Sequence, residues 1–460
     1  MDFQNRKHLL AAAAQARVAY AKSSETTSIT DAQEASLRDD PVKGPIWVAK
    51  FETPAPEPGQ DTSRDLLLSL VDELNDKNIP YERPDSTALK FEWVGNRDYV
   101  EEDTTEPAIS EEEKFKSLAA ENTAPLTVLY IYGGTFVLNT PSCYRRTTSL
   151  LSKQTGARVL MVHQRLAPQN PFPAALLDVF QAYFTLLSPP PGSLHAAIPP
   201  SQIVIAGDSS GSCLALGVLQ ILLHLKRTGK KITFHGQTIN PATSTSIIPA
   251  GLALLSPVSE LTNSVPSYTR NIRTDIFPDM FALPYNQLSH PKCALWPTDP
   301  PRADLYCEGA MLAHPLASPA ASDDWSGACP IWMAGGQEQT VDAARLIAQT
   351  ASAQGVVVTH YEYEALPHTF FFVWRSAPQS SKVLREWGEA MVGFVSRDQK
   401  EGKEKGASRA VVVRAKGLVE EERDVSSLVP FTVGEMRGWM WERTKGFKVP
   451  EFHYKKGARL

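Results

Sequence analysis

A chain of 460 residues, 42% of them hydrophobic, can bury a large core, and its length suits two to three average domains or one large α/β domain with insertions. Its formal net charge of −5 gives no support to nucleic acid as the main partner. The five scattered cysteines (Cys143, Cys213, Cys293, Cys307, Cys329) show no C-x-x-C spacing, which argues against a disulfide framework or a zinc site and favours a reducing compartment.

Residues 1 to 22 lack the apolar core and cleavage site of a signal peptide. No run of about 18 apolar residues occurs either, so no membrane span is expected and the protein is read as cytoplasmic. Residues 5 to 22 read as an amphipathic helix with Leu9, Leu10, Ala13, Ala14 and Val18 on one side; it packs on the domain or lies on a membrane surface. Residues 23 to 44 are polar, and 53 to 63 form a Pro-rich connector. Residues 101 to 124, rich in Glu and Thr, are expected to be an exposed loop of variable order.

Regular structure is expected from Leu126 onward. Leu126 to Ile131 is a continuous apolar run, the pattern of a strand covered on both faces. Similar runs recur at Arg158 to Val162, Ile203 to Ala206, Leu252 to Leu255, Ile331 to Ala334 and Val356 to Tyr363. Helical patterns fall at 142–155, 172–188, 211–229, 339–354 and 380–397. This alternation predicts an α/β fold with a mostly parallel, doubly wound sheet. The interval 257–328, rich in Pro, Ser, Asp and aromatics, is too long for a bare loop and is expected to be an inserted subdomain. Residues 398 to 409 read as a charged linker. The tail beyond it holds Val411-Val412-Val413 and a Trp-rich stretch, Met436 to Trp441, so it is not expected to be wholly disordered.

Between the run at Ile203 to Ala206 and the next helix stands Gly207-Asp208-Ser209-Ser210-Gly211. A G-x-S-x-G turn from strand to helix lifts one hydroxyl, that of Ser209, onto a sharp bend at a helix N-terminus. Its glycines let the two backbones pass closely. A serine nucleophile needs a base, a carboxylate that orients the base, and N–H donors for the oxyanion. In this architecture the order is serine, acid, histidine. Glu338 follows the strand Ile331 to Ala334 and is the acid candidate; Asp342, one turn later, is read first as complementing a helix dipole and second as the acid. His368 lies in a loop after the next strand and is the base candidate, whereas His163, His224 and His360 fall inside regular elements and read as packed residues. The oxyanion donors are sought at Ser210 and in Tyr132-Gly133-Gly134-Thr135, directly after the strand ending at Ile131. A simple strand-to-helix turn is the alternative for that loop.

These residues together resemble the hormone-sensitive-lipase-like branch of the α/β-hydrolases (fold-3, fungal type). Gly207 to Gly211 is similar to its GDSAG motif. Arg165-Leu166-Ala167-Pro168, then Pro171 to Ala175 and Asp178, is similar to its YRLAPEHPFPAA..D segment. Pro315 to Pro319, Asp323-Asp324 and Gly327 resemble the stretch before the acid-bearing strand, and Glu338 with Asp342 fits an acid-x-x-x-Asp pattern. Leu366 to Phe370 resembles the histidine loop. The resemblance covers residues 125 to 397. It departs at the family's HGGG motif, where Tyr132 stands for histidine and Thr135 for a glycine; Thr135 would narrow the acyl or alcohol pocket.

The resemblance implies a helical cap built from the N-terminal region and the 257–328 insertion. The expected division is a cap or extension at 1–110, a catalytic domain at 111–400, and a C-terminal extension at 401–460 without a counterpart in the family core. It implies an esterase acting on short-chain, acetyl-type esters of a small or lipophilic molecule, without metal or organic cofactor. Ser209, His368 and Glu338 would be catalytic, Gly133, Gly134, Thr135 and Ser210 would form the oxyanion hole, and Asp208, Asp342, Arg165 and Asp178 would support them. Two other readings stay open: a ligand-capturing receptor on the same fold, and a membrane-surface lipase or steryl acetyl hydrolase in peripheral contact with the ER or a lipid droplet.

Overall fold

The computed structural model describes residues 1–241, 247–280, 290–398 and 406–449. All six apolar runs are strands, and among the described residues six further strands accompany them. In chain order they are β1 (Ile46–Thr53), β2 (Leu89–Asn96), β3 (Thr127–Ile131), β4 (Arg158–Val162), β5 (Ile203–Asp208), β6 (Ile232–Phe234), β7 (Gln237–Ile239), β8 (Gly251–Leu255), β9 (Ile331–Gly336), β10 (Val358–Tyr363), β11 (Arg409–Val413) and β12 (Glu420–Arg423). Apart from the small β6–β7 hairpin they form one ten-stranded sheet in the order β1-β2-β4-β3-β5-β8-β9-β10-β11-β12. The strands from β4 to β11 run parallel. β1, β2 and β12 join the two edges antiparallel.

The helices are α1 (Arg6–Thr26), α2 (Ile29–Ser36), α3 (Ser63–Leu74), α4 (Glu111–Glu121), α5 (Arg145–Thr155), α6 (Ala174–Leu187), α7 (Ser209–Thr228), α8 (Ser267–Arg270), α9 (Val341–Ala353), α10 (Phe370–Val373), α11 (Pro378–Asp398) and α12 (Val433–Thr444). Side chains of β3 and β5 alternate between two cores. Leu129, Ile131, Ile203 and Ile205 face the core of α3, α6, α7 and α9. Val128, Tyr130, Val204 and Ala206 face that of α5 and α11. Two apolar faces on one strand are why these segments read as unbroken hydrophobic runs.

The sheet crosses both expected domain boundaries. β1 and β2 come from the segment assigned to the N-terminal cap, and β11 and β12 from the assigned C-terminal extension. Charged residues interrupt β1 and β2 (Lys50, Glu52, Lys90, Glu92), so their pattern lacks the continuous run of a central strand. Of these, Glu92 is buried and takes a bidentate pair from Arg145 at 2.5 and 2.7 Å. The expected loop at 101–124 instead contains α4. Its Ser110 and Glu113 form a reciprocal capping box, and Phe115 and Leu118 are buried. Acidic residues at a helix start favour the dipole there, so the Glu-rich composition marked a helix N-terminus.

α1 runs on to Thr26, with Leu9 and Ala13 buried and Val18 exposed. The insertion between β8 and β9 contributes, among the described residues, a single helical turn, α8, and two 3-10 turns at Gly309–Ala313 and Pro319–Ala321. Its prolines deny regular N–H bonding, and much of it is nonetheless buried, Leu261, Tyr268, Leu312 and Trp325 among it. Residues 399–405 of the expected linker lie outside the described residues. One described helix, α7, is long and apolar enough to cross a membrane, but most of it is buried inside the domain.

Close approach at the start of α7 fixes the two motif glycines. A Cβ at Gly207 would lie 2.7 Å from the Ile131 carbonyl oxygen, and one at Gly211 would collide with that same oxygen. Backbone cannot yield as a side-chain tip can. Gly211→Ala is therefore expected to cost about 3 kcal/mol, read as a lowered denaturation midpoint in urea.

Candidate active site

β5 ends in Asp208, and the next residue turns at once into α7. Ser209 holds φ at +50°, a left-handed conformation that non-glycine residues seldom adopt. The bend leaves its hydroxyl at the carboxyl end of the sheet, where open α/β sheets bind their ligands. His368 arrives from the loop after β10, and Glu338 from the loop after β9. The Ser209 hydroxyl lies 2.8 Å from His368 Nε2, and Nδ1 of the same ring lies 2.7 Å from Glu338 Oε2. All three side chains are buried. The chain Ser209–His368–Glu338 thus assembles residues 209, 338 and 368 from three separate loops.

Charge is tuned by that burial. Desolvation opposes a charged imidazole, but the adjacent Glu338 carboxylate outweighs it and holds His368 above its ordinary 6.5. Burial likewise pushes the Glu338 carboxyl up, while His368 and the Ser256 hydroxyl pull it down. Burial also pushes Asp208 up to about 6, against the pull of the Tyr130 hydroxyl at 2.6 Å and the Gly133 N–H at 3.2 Å.

The loop after β3 curls beside the serine. Gly134, Thr135 and Phe136 have successive φ values of +127°, +55° and +64°. Gly133 donates its N–H to Asp208, and its carbonyl accepts from Asn139 at 3.1 Å. The Ser210 hydroxyl accepts the Phe136 N–H at 3.3 Å and ties the loop to the elbow. Gly133, Gly134, Thr135 and Ser210, the candidate oxyanion donors, thus lie together beside the serine, the Gly133 N–H also facing Asp208. Tyr132, which stands where the motif has histidine, braces the loop. Its hydroxyl accepts the Gln164 N–H at 3.2 Å, and its ring stacks on Tyr144 at 5.6 Å. α2 closes the loop from outside: Gln33 donates to the carbonyls of Val137 and Ala167, and Ser36 accepts from the Asn139 N–H.

The other expected residues do structural work. Arg165 grips Asp178 through its guanidinium at 2.7 to 3.1 Å and through its own N–H at 2.7 Å, pinning the segment before α6. The Asp342 carboxylate is engaged by Arg270 at 2.6 Å and Arg345 at 2.9 Å, which leaves Glu338 as the acid facing the histidine. Sequence reasoning missed Asp275, a buried acid whose Oδ1 accepts the His368 N–H at 3.1 Å. It sits in an irregular stretch with no period and no motif, so no local signal marks it. Tyr130 and Tyr144, whose hydroxyls reach Asp208, were likewise legible only as strand and helix residues.

Residues 128–372 match the family model described as alpha/beta hydrolase fold. The chain is 29% identical over 263 residues to an acetyl-hydrolase of Streptomyces hygroscopicus, covering 57% of this chain and 74% of that protein. It is 25% identical over 277 residues to an esterase of Acinetobacter venetianus, covering 60% of this chain and 77% of that one. Among solved structures, an esterase from the bacterial hormone-sensitive lipase family aligns at 22% identity and a TM-score of 0.47, over 72% of this chain and 90% of that chain.

Proposed function

The chain belongs to the alpha/beta hydrolase fold family, and from that premise we propose that it hydrolyses carboxylic esters through an acyl-enzyme on Ser209. The observation that carries this reading is the unbroken hydrogen-bond chain from Ser209 through His368 to Glu338. His368 takes the hydroxyl proton as Ser209 attacks the ester carbonyl, and Glu338 fixes the ring and favours the imidazolium that forms. The N–H groups of Gly134, Thr135 and Ser210 receive the oxyanion. His368 then passes its proton to the departing alcohol, and water releases the acid by the same steps in reverse. The likeness to an acetyl-hydrolase supports a short acyl group.

The test is covalent labelling with a fluorophosphonate alongside turnover of p-nitrophenyl acetate. An esterase is labelled at Ser209 and turns over, whereas a ligand-capturing receptor does neither. Because His368 must be neutral to accept the proton and stands above 6.5, kcat/KM is expected to fall on the acid side through a limb centred above pH 6.5. A limb well below 6.5 would contradict the assigned base.

Thr135 supplies the basis for acyl selection. Its side chain is fixed by a hydrogen bond to the Gly134 carbonyl at 2.7 Å, in a left-handed conformation that suits glycine. Thr135→Gly is expected to raise the butyrate-to-acetate ratio of kcat/KM by roughly tenfold, the worth of a methylene or two in a pocket. An unchanged ratio would assign selection elsewhere.

A further inference from the structure

The stretch 271–277 of the insertion, which has no motif and no regular structure beyond α8, lies against both catalytic loops. Asp275 is fully buried there. Its Oδ1 accepts N–H groups from Ile276 at 2.7 Å and His368 at 3.1 Å, and its Oδ2 accepts from Gln339 at 2.7 Å. One carboxylate thus joins the main chain of the histidine loop, at His368 itself, to that of the acid loop, at the residue after Glu338. Neighbours strengthen the grip: Asn271 donates to the Glu338 carbonyl at 2.9 Å, and Thr274 donates to the carbonyl of Gln337. The Phe277 ring lies 5.0 Å from the His368 ring.

The same stretch is held from outside by the N-terminal helix. Arg17 of α1 donates to the carbonyls of Ile272 at 2.5 Å and Asp275 at 2.8 Å, and Tyr20 meets Phe277 edge-on at 5.2 Å. We propose that Asp275 is a positioning residue of the ester-cleaving centre, setting His368 against Glu338 through the backbones of both loops, and that Arg17 makes this setting depend on docked α1. The proposal rests on the esterase reading above.

The physical warrant is geometric. Hydrogen bonds to an ionised acceptor are about twice as strong as neutral ones, and a misplacement of about 1 Å costs on the order of 100-fold in rate. A carboxylate can accept from both loops at once, whereas the amide of asparagine must turn a donor toward one of them. Three acidic groups bear on His368: Glu338 from the loop after β9, Asp275 from the insertion and Asp208 from the end of β5. Removing the Asp275 charge therefore makes the imidazolium less favourable.

The experiment compares wild type, Asp275→Asn and Arg17→Ala in p-nitrophenyl acetate turnover and fluorophosphonate labelling, with thermal melts recorded for each. For Asp275→Asn the expected result is a kcat lower by about 10- to 100-fold, a KM within about twofold, and labelling slowed by the same factor as kcat. Its acid limb moves to lower pH, a change that loss of fold alone does not produce. Arg17→Ala is expected to lower kcat and labelling together by about three- to tenfold, and it decides the matter if Asp275→Asn does not fold. A folded Asp275→Asn with wild-type kcat and an unmoved acid limb overturns the proposal, as does Arg17→Ala at wild-type rates when Asp275→Asn does not fold. Wild type that is neither labelled nor active overturns the esterase reading and this proposal with it; an active wild type with indifferent variants overturns this proposal alone.

Discussion

Ser209→Ala is expected to lower kcat for p-nitrophenyl acetate by roughly 10⁵- to 10⁶-fold, the scale seen when a serine nucleophile is removed from an intact site. The side chain loses one buried hydrogen bond, to His368, and little packing volume, so the fold should survive with a stability change of about 1 kcal/mol. Alanine at the same left-handed φ keeps the elbow in place, since strain at this position is already present in the native serine. The remaining N–H donors still bind substrate and polarise its carbonyl, which leaves a small residual rate over water. Fluorophosphonate labelling should vanish entirely. Equal turnover in the two proteins would remove Ser209 from the reaction, whatever the geometry.

Glu338→Gln ranks second, with an expected loss of about 10³- to 10⁴-fold in kcat. Glutamine matches glutamate in shape, so the main-chain path of the loop should hold. Space here is tight: a Cβ at Gly335 would lie 2.5 Å from Glu338 Oε1. What changes is the proton. A carboxylate accepts the Nδ1–H of His368 and thereby leaves Nε2 free to take the serine proton; an amide can reverse that hydrogen bond and stabilise the wrong tautomer. The sign of the pH effect also follows. Glu338 raises the histidine, so its loss should move the acid limb of kcat/KM to lower pH while the plateau falls. Asp342→Asn is the control. Its carboxylate serves Arg270 and Arg345, and its replacement should leave kcat within a few-fold and lower the melting temperature instead. If Asp342→Asn proved the more damaging to kcat, the acid would have been misassigned.

The amino-acid sequence settled those features that local chemistry dictates. An unbroken apolar run must be covered on both sides, so the six central strands and their parallel direction were legible from Leu126 to Tyr363. G-x-S-x-G works only where strand and helix backbones nearly touch, and the Ile131 carbonyl beneath Gly211 is the physical form of that demand. The histidine and acid candidates were legible because each falls in the loop that follows a strand, at the edge where a parallel sheet presents its loops.

Tertiary structure decided what depends on partners distant in the chain. β1 at the sheet edge and β2 beside it carry charges whose partners, such as Arg145 for Glu92 and Asp39 for Lys50, lie elsewhere in the chain. Strand β11 reads as three valines until β10 supplies its ladder. The bond from the Gly133 N–H to Asp208, 75 residues later, has no local signal either. Asp275 has no signature at all, because a carboxylate that binds backbone N–H groups asks nothing of the side chains it touches. Motif and period record what a residue requires of its neighbours in sequence; hydrogen bonds between separated loops leave no such record.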